Sequence, residues 1–276
     1  MILVGINGGL GNQMFQYALG RKLAIKNRTK LVLDISIFNE KMSQTKRTLM
    51  LNKYRINAKY LDTTLSVFGK IKKYLSYKLT NIYREPHYHY DPKALQARDN
   101  TRLIGYWQSY KYFDDIRNIL IQEFKPIANP SYEQELIQFL KNDNTVSIHV
   151  RRGDYIFNKE AKEILGALPL KYYENAIKYL ENIVKNPRYI VFSDDIAWCK
   201  RNLGKLLPKT TIYYHQDEIS DLDIMTKTRH NIIANSSYSW WGAYLGEKKL
   251  VIAPKTWFKT TSMSSQDLIP PEWIQL

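Results

Sequence analysis

Cysteine is almost missing from this sequence, in which Cys199 is the single example among 276 residues. One thiol can form neither an internal disulfide nor a cysteine-based metal site, and this indicates a reducing compartment. Long apolar runs are missing too, and no window approaches the ~18 uncharged apolar residues of a membrane-spanning helix. The N-terminus enters an apolar strand pattern at once, without the basic and small-residue features of a signal peptide. We therefore expect a soluble, cytoplasmic protein, or one that touches a membrane at its surface.

Acidic residues are in the minority: 26 Asp and Glu stand against 41 Lys and Arg, and the net charge is +15. Such a field favours nucleic acid, anionic lipid or phosphorylated small molecules as partners. A basic recognition helix and an RNP-like aromatic strand are both missing, so nucleic acid is the least favoured of the three. Segment 67–83 combines four lysines with apolar residues spaced three and four apart. It predicts a basic amphipathic helix that either packs on its own domain or touches an anionic membrane.

Strand and helix patterns alternate along the chain without repeats, and such alternation is typical of parallel sheets in α/β proteins. The predicted strands are 2–6, 30–34, 101–105, 146–150, 189–192, 211–214, 232–234 and 250–253. The predicted helices are 13–26, 114–124, 131–141, 170–184, 196–203, 221–228 and 239–245. Prolines in the segment 125–130 interrupt the pattern and indicate a hinge. We therefore predict two Rossmann-like domains, 1–128 and 129–276, with a cleft between them.

Clusters of Gly, Arg, Asp, Asn and Ser follow four of these strands. In open parallel sheets, ligands bind at the carboxyl ends of the strands, so residues at those ends are the candidates for function. The clusters are 7–13, 151–154, 193–195 and 235–237.

The glycine loop at 8–12 lacks the third glycine of a dinucleotide fingerprint, because Met14 occupies that position. It also lacks the Lys-Ser/Thr ending of a P-loop. One interpretation is a tight turn between strand and helix. The other is that Gly11 lets the backbone approach a ligand closely, while Asn12 and Gln13 offer side-chain donors to a sugar or an acceptor.

The segment His-Val-Arg-Arg-Gly-Asp at 149–154 is a stronger signal. His149 lies on the opposite strand face from the apolar residues around it. Arg151 and Arg152 follow the strand, and a planar guanidinium matches phosphate oxygens and stays charged. The alternative is a structural ion pair of either arginine with Asp154. The position at the end of a buried strand favours phosphate binding.

Asn235, Ser236 and Ser237 follow a short apolar strand and open a helix. Ser236 or Ser237 can cap that helix, whose N–H groups and positive dipole end favour an anion. For the next two aromatic residues, Trp240 and Trp241, a place in the core is the favoured interpretation.

Asp221 and Asp223 form a D-x-D triplet, which can hold a divalent metal against a pyrophosphate. Ser220 and Asp223 also resemble a capping box, which places both carboxylates in the first turn of a helix without a metal. We favour capping, which leaves Asp221 able to accept a nucleobase N–H.

Taken together, these motifs resemble the α-1,2-fucosyltransferase family. The matching segments occur in the family's order and are 9–18, 105–109, 149–155, 192–195 and 231–243. Segment 36–100 carries no match, and Tyr110 departs from the expected Glu. The resemblance implies a GT-B type fold and inverting transfer from GDP-β-L-fucose to the 2-hydroxyl of a galactose-type acceptor, without a metal or other cofactor. It also implies surface polysaccharide synthesis at the inner face of a bacterial membrane, with lipid-linked acceptors among the candidates, and it leaves GDP-colitose open as the donor.

On this basis Arg151, with Arg152 or His149, is predicted to neutralise the departing β-phosphate in place of a metal. Asp154 is the candidate base, although neighbouring arginines oppose proton uptake. The predicted donor-binding residues are Arg152, Asp194, Asp221, Asn235, Ser236 and Ser237. Two other hypotheses are a metal-dependent transferase that uses Asp221 and Asp223, and a non-catalytic glycan-binding protein that uses the Tyr-rich segment 74–112.

Overall fold

The computed structural model describes residues 1–39, 47–61, 74, 77–78, 80–247 and 249–276. The chain forms two compact units, of which the first is Met1–Ile127 with Gln266–Leu268 and the second is Ala128–Ser265 with Ile269–Leu276. The predicted boundary at 128/129 lies one residue from the observed one. The prediction of an unbroken second domain is wrong, because residues 266–268 pack with the first unit.

The first unit contains a five-stranded sheet in which every described pairing is parallel. Its strands are β1 (Ile2–Gly5), β2 (Leu31–Asp34), β3 (Lys59–Leu61), β4 (Asn81–Arg84) and β5 (Thr101–Ile104), in the order β3-β2-β1-β5-β4. Among the described residues of this unit, the α-helices include α1 (Leu10–Lys26) and α2 (Arg117–Glu123). In the segment 67–83, which is predicted to be a helix, residues 74, 77 and 78 are helical, whereas residues 81–83 belong to β4. Residues 67–73, 75, 76 and 79 lie outside the described part of the chain.

Helix α1 packs closely on the sheet because its sequence is apolar on several sides and carries a glycine at the contact. Met14, Ala18 and Leu23 are fully buried. A Cβ at Gly20 would lie 2.5 Å from a methyl group of Val4, so only glycine allows this approach. The helix begins at Leu10, three residues before the predicted start.

The second unit contains a six-stranded sheet of parallel pairs in the order β11-β10-β9-β6-β7-β8. Its strands are β6 (Thr145–Val150), β7 (Arg188–Ser193), β8 (Ile212–Tyr214), β9 (His230–Ile232), β10 (Leu250–Ala253) and β11 (Ile274–Gln275). Its helices are α3 (Gln134–Leu140), α4 (Gly153–Phe157), α5 (Lys159–Ile164), α6 (Leu170–Glu181), α7 (Ile196–Asn202), α8 (Glu218–Lys227) and α9 (Ser237–Tyr244). Strand β9 ends two residues before the predicted end, while α4, α5 and β11 were not predicted.

The core of the second unit lies on both faces of this sheet. Val146, Ile148 and Val150 pack in one buried cluster with residues of α6. On the other face, Ile190 and Phe192 of β7 pack in a second cluster with residues of α3 and α8. Because both faces are covered, the strands are almost continuously buried, as parallel sheets require.

Candidate functional site

The carboxyl edge of the six-stranded sheet gathers the residues that the motifs singled out. Strands β6 and β7 pair in register over six residues, with Val150 opposite Ser193. The next residues on each chain segment, Arg151 and Asp194, therefore meet at this edge. Such an edge is where ligands bind in open parallel sheets.

Arg151 is held by two carboxylates. Its Nε donates to Asp154 Oδ1 at 3.0 Å, and Nη2 lies 2.9 Å from the same oxygen. Its Nη1 lies 3.2 Å from Asp194 Oδ2. Burial opposes the charge, but Asp194 and Asp154 outweigh burial and raise the pKa of Arg151. The ion pair that we gave as the structural alternative is therefore present, while phosphate binding stays a prediction.

Asp194 also organises the backbone that follows β6. Its carboxylate accepts the N–H groups of Arg152 and Gly153 at 2.9 and 3.0 Å. A Cβ at Gly153 would lie 2.7 Å from Asp194 Oδ2, so the glycine makes this contact possible. Arg152 lies with its guanidinium carbon 4.1 Å from the ring centre of Trp198 and its Nε 3.2 Å from Asp195. Donor contact by Asp194 remains a prediction, and its observed contacts position both arginines.

His149 is buried beneath these arginines, and its environment excludes a positive charge. Burial, and then the charge of Arg151, lower the pKa of His149 to about 3. His149 is therefore a neutral residue, and its predicted action on the departing phosphate stays a prediction. Its Nδ1 is buried and has no hydrogen-bond partner among the described groups. The ring lies 5.6 Å from that of Tyr238 in α9, and a buried nitrogen without a hydrogen-bond partner is uncommon in a folded protein.

The side chain of Asn235 links neighbouring loops through hydrogen bonds. Its Nδ2 lies 3.2, 3.1 and 3.1 Å from the carbonyl oxygens of Leu165, Gly166 and Trp257. Its own carbonyl accepts the Tyr155 hydroxyl at 2.9 Å. The amide N–H groups of Asn235 are thus engaged within the protein. The prediction that Asn235 binds the donor is therefore wrong for these N–H groups.

Ser236 is the N-cap of α9, but its hydroxyl makes no capping hydrogen bond with a described N–H. Its backbone is extended, with φ −135° and ψ 123°, and its carbonyl accepts the first helical N–H from Trp240 at 3.0 Å. The predicted serine cap is therefore wrong, and the helix begins at Ser237, two residues before the predicted start at 239. Trp240 and Trp241 are fully buried, as predicted for core residues.

Asp221 and Asp223 lie in α8 and do not converge. Asp221 accepts His215 Nδ1–H at 2.7 Å and Gln216 N–H at 3.1 Å. Burial raises its pKa, against these two donors. Asp223 instead contacts Tyr132 and Lys227. Because Asp221 is buried and engaged, the prediction that it is free for a nucleobase is wrong. The exposed group next to it is His215, which is 53% exposed and which sequence reasoning missed.

The predicted capping box of α8 is also wrong. Asp217 is the N-cap and accepts the N–H groups of Ile219 and Ser220 at 2.8 and 3.0 Å. The helix therefore begins at Glu218, and Asp221 lies at the end of its first turn. Asp217 belongs to the same preferred residue class as serine at this position, so residue preference by itself does not choose between them.

In the first unit, the glycine motif forms a turn and the start of α1. Gly11 is buried inside the helix, and Gln13 is fully buried. The Gln13 amide donates to the carbonyls of Gly8 and Thr48 at 3.0 and 2.8 Å and accepts the N–H of Met50 at 2.9 Å. Contact of Gln13 with a sugar or acceptor is therefore contradicted, since its amide holds the segment 48–51.

Asn12 is half-buried, and its Oδ1 accepts Gln108 Nε2 at 2.8 Å. A role for Asn12 in acceptor binding stays a prediction. Gln16, one turn further along α1, bonds the backbone of Asn7 and the carbonyl of Gly105. The motif thus ties three loops together, a function that only the fold reveals.

Two parallel α/β units, one of them with paired arginines at the carboxyl edge of its sheet, match the architecture expected of a GT-B glycosyltransferase. The sequence comparison identifies the family. The model of glycosyl transferase family 11 matches residues 1–276, and the chain belongs to this family.

Curated relatives span the whole chain. The chain is 35% identical to the O-antigen biosynthesis glycosyltransferase WbnK of Escherichia coli, over 98% of this chain and 99% of that protein. It is 30% identical to an α-1,2-colitosyltransferase of Escherichia coli, over 100% and 99%. It is 26% identical to galactoside 2-α-L-fucosyltransferase SEC1 of Bos taurus, over 98% and 72%.

Solved structures share the fold at low identity. Fucosyltransferase NodZ from Bradyrhizobium matches with a TM-score of 0.52 and 12% identity, over 89% of this chain and 92% of that one. A mutant of Arabidopsis thaliana FUT1 in complex with GDP matches with a TM-score of 0.51 and 11% identity, over 98% and 74%. These similarities support the GT-B fold that the family resemblance predicted.

Across the described ranges, no helix has the length and apolar character to span a membrane. In the same residues, no group of three or more His, Cys, Asp or Glu side chains is placed to hold a metal ion.

Proposed function

We propose that this protein transfers a deoxysugar, L-fucose or colitose, from its GDP conjugate to the 2-hydroxyl of a galactose-type acceptor. The reaction inverts the anomeric configuration and uses no metal. The observation that carries the proposal is Arg151, fixed between two carboxylates at the carboxyl edge of the donor-side sheet in a family 11 chain.

Arg151 keeps capacity for a phosphate. A guanidinium has five N–H donors, and the contacts to Asp154 and Asp194 use one on each of its three nitrogens. One N–H on Nη1 and one on Nη2 remain for two phosphate oxygens, the bidentate geometry that arginine favours. The carboxylates hold the fork in place before the donor arrives, so little reorganisation is needed.

Neutral groups next to Arg151 complete the proposed phosphate site. The buried Nδ1 of His149 faces no described partner, and α9 begins beside it at Ser237 without a side-chain cap from Ser236. Helix starts attract anions through N–H groups and the dipole. In this proposal His149 acts as a neutral hydrogen-bonding group, and the positive charge comes from Arg151 and Arg152.

The chemical step replaces one bond to the sugar by another. The acceptor 2-oxygen attacks the anomeric carbon from the face opposite GDP, the bond from that carbon to the β-phosphate oxygen breaks, and the acceptor loses its proton. Arg151 stabilises the negative charge that develops on the leaving diphosphate. Asp154 takes the proton in our first assignment. Its ion pair with Arg151 stabilises the carboxylate, so a phosphate oxygen is the second candidate for this proton.

The donor divides the proposal into two cases. The E. coli relative at 30% identity is named a colitosyltransferase, and the Bos taurus relative a fucosyltransferase. Fucose is our first candidate, as the motifs indicated. Both sugars suit a cytoplasmic enzyme of surface polysaccharide synthesis, which acts on free or lipid-linked oligosaccharides and touches the membrane peripherally. No nucleic acid and no cofactor take part in this proposal.

A donor panel tests the proposal directly. GDP-fucose, GDP-colitose, GDP-mannose and a UDP-sugar are each incubated with the protein, and released nucleotide and product are measured with and without EDTA. Turnover of a GDP-deoxysugar in EDTA supports it. Turnover that requires a divalent metal supports the Asp221 and Asp223 hypothesis, against which their separate contacts argue. Glycan binding without any turnover supports the non-catalytic alternative.

A further inference from the structure

The carboxyl edge of the five-stranded sheet carries a cluster of aromatic and polar groups that the transfer chemistry above does not use. Strands β4 and β5 are in register, with Arg84 opposite Ile104. The residues that follow, Glu85 and Gly105, therefore lie side by side. The cluster lies on the two loops that begin at these residues, 85–91 and 105–109.

Glu85 holds the second loop through its carboxylate. Its two oxygens accept the N–H groups of Tyr106 and Trp107 at 2.7 and 2.8 Å. A Cβ at Gly105 would lie 2.4 Å from that of Glu85, so the position requires glycine. Trp107 is fully buried and adopts a left-handed backbone with φ 59°, a conformation that needs such support.

A second set of contacts fixes the far ends of both loops. Asp267 accepts the N–H of Tyr90 at 3.1 Å, and its carbonyl accepts the Ser109 hydroxyl at 2.7 Å. Its carboxylate also pairs with Lys111. The two loops are thus anchored at their beginnings and at their ends, so the side chains between the anchors are pre-organised.

Those side chains form two ring stacks and an amide pair. The rings of His87 and His89 are parallel within 3° at 3.4 Å, and His87 Nδ1 lies 3.1 Å from the carbonyl of His89. The rings of Tyr88 and Tyr106 stack at 6.3 Å and 20°. Gln108 donates to Asn12 beside them, as described above. These six side chains are half-buried, so each is partly accessible to a ligand.

We infer that this cluster, named here the ring-stack subsite (Asn12, His87, Tyr88, His89, Tyr106 and Gln108), binds the acceptor as a neutral pyranose. The inference rests on the proposed function, whose acceptor it specifies. Flat rings suit the apolar C–H face of a pyranose, and amides suit its hydroxyls. The carboxylate of Glu85 beneath the loop disfavours an anionic ligand, and Lys111 is already neutralised by Asp267.

Binding of methyl β-D-galactopyranoside, measured by saturation-transfer NMR without any donor, tests the inference independently of catalysis. The double variant H87A/H89A removes one stack, and H87F/H89F restores flat rings without imidazole nitrogens. We expect H87A/H89A to weaken binding about tenfold, the scale of about 1.4 kcal/mol. We expect H87F/H89F to stay within about threefold of the parent, because ring stacking is the contact. Ile183→Ala, at a side chain of the second unit that is 57% exposed, is the control.

Kinetics separate this inference from the proposed function. H87A/H89A should raise KM for the acceptor and leave donor hydrolysis without acceptor unchanged. Gln108→Met keeps the side-chain length and removes the amide, and it should also raise KM for the acceptor without changing donor hydrolysis. This variant replaces H87A/H89A in the test if the double variant is unstable. Unchanged pyranoside binding in a folded H87A/H89A protein, or loss of donor hydrolysis in it, overturns the subsite. Failure of the parent to turn over any GDP-sugar would instead reject the proposed function, and the NMR result would stand by itself.

Discussion

Arg151 should dominate catalysis, and its replacement by alanine gives the sharpest test of the donor site. Two of its N–H groups remain available after its contacts with Asp154 and Asp194. A hydrogen bond to a charged group contributes about 1.5–3 kcal/mol. Two such bonds to the leaving diphosphate contribute about 3–6 kcal/mol, and about 1.4 kcal/mol corresponds to tenfold in rate. Arg151→Ala should therefore lower kcat about 10²- to 10⁴-fold.

The assay is release of GDP from the accepted donor under saturating acceptor. Arg151→Lys keeps one charge but loses the planar fork, so we expect an intermediate loss. Asp154→Asn keeps the side-chain shape, and a modest slowing is expected if a phosphate oxygen takes the proton. Arg151→Ala should also lower the free energy of unfolding by about 1–3 kcal/mol, because the side chain is only 26% exposed and its loss leaves two carboxylates without their cation.

Arg229 supplies the matched control. It pairs with Asp143 at 3.3 Å and precedes β9, at the opposite edge of the same sheet. Arg229→Ala removes the same charge and an ion pair with a single, more exposed carboxylate, and kcat should stay within about twofold of the parent. If Arg151→Ala turns over as fast as this control, the guanidinium does not stabilise the leaving group and the donor-site assignment fails.

The other predictions concern the metal, the loop contacts of Asn235 and the buried His149. Activity should persist in EDTA and in Asp223→Ala, and loss of activity in EDTA with recovery on adding Mg²⁺ would contradict this. Asn235→Ala should lower the free energy of unfolding, measured in urea, by about 2–4 kcal/mol, because three carbonyls lose their donor. A change below about 0.5 kcal/mol would show that these contacts do not stabilise the fold. His149 has a lower pKa folded than unfolded, about 3 against about 6.5, so its contribution to stability is present above pH 6.5 and is lost as pH falls. Between pH 7 and 5 this loss should be about 2 kcal/mol and absent from His149→Gln; identical pH profiles of the two proteins would contradict it.

Apart from α4, α5 and β11, the strands and helices of the second unit were predicted close to their observed positions, because their apolar periodicity is local and strong. Strands β6 and β7 were each predicted within two residues of the observed ends, and the alternation with helices indicated the parallel sheets. Helix starts were less accurate. Asp217, not Ser220, caps α8, because Asp and Ser have nearly equal preference and only the fold decides which carboxylate or hydroxyl reaches an N–H.

In the candidate site, too, local features were predictable and long-range contacts were not. Placement of Arg151, Arg152 and Asp194 at one sheet edge followed from strand ends and needed no contacts. The engagement of Gln13 by Thr48 and Met50, 35 and 37 residues away, was not predictable. The same holds for Asn235, whose amide contacts carbonyls 22 or more residues away. From the motif alone, an amide that binds a sugar cannot be distinguished from one that holds a neighbouring loop.

The amino-acid sequence alone determined that this chain alternates strands and helices, resembles a sugar-transferase family and places two arginines after a buried strand. Those properties depend on side-chain periodicity and local order. Only the tertiary structure decided that His149 is neutral, that Asp221 is occupied by His215, and that residues 266–268 return to the first unit. Burial and partner choice are set by groups far apart in the chain, and neither acts until the sheets have formed.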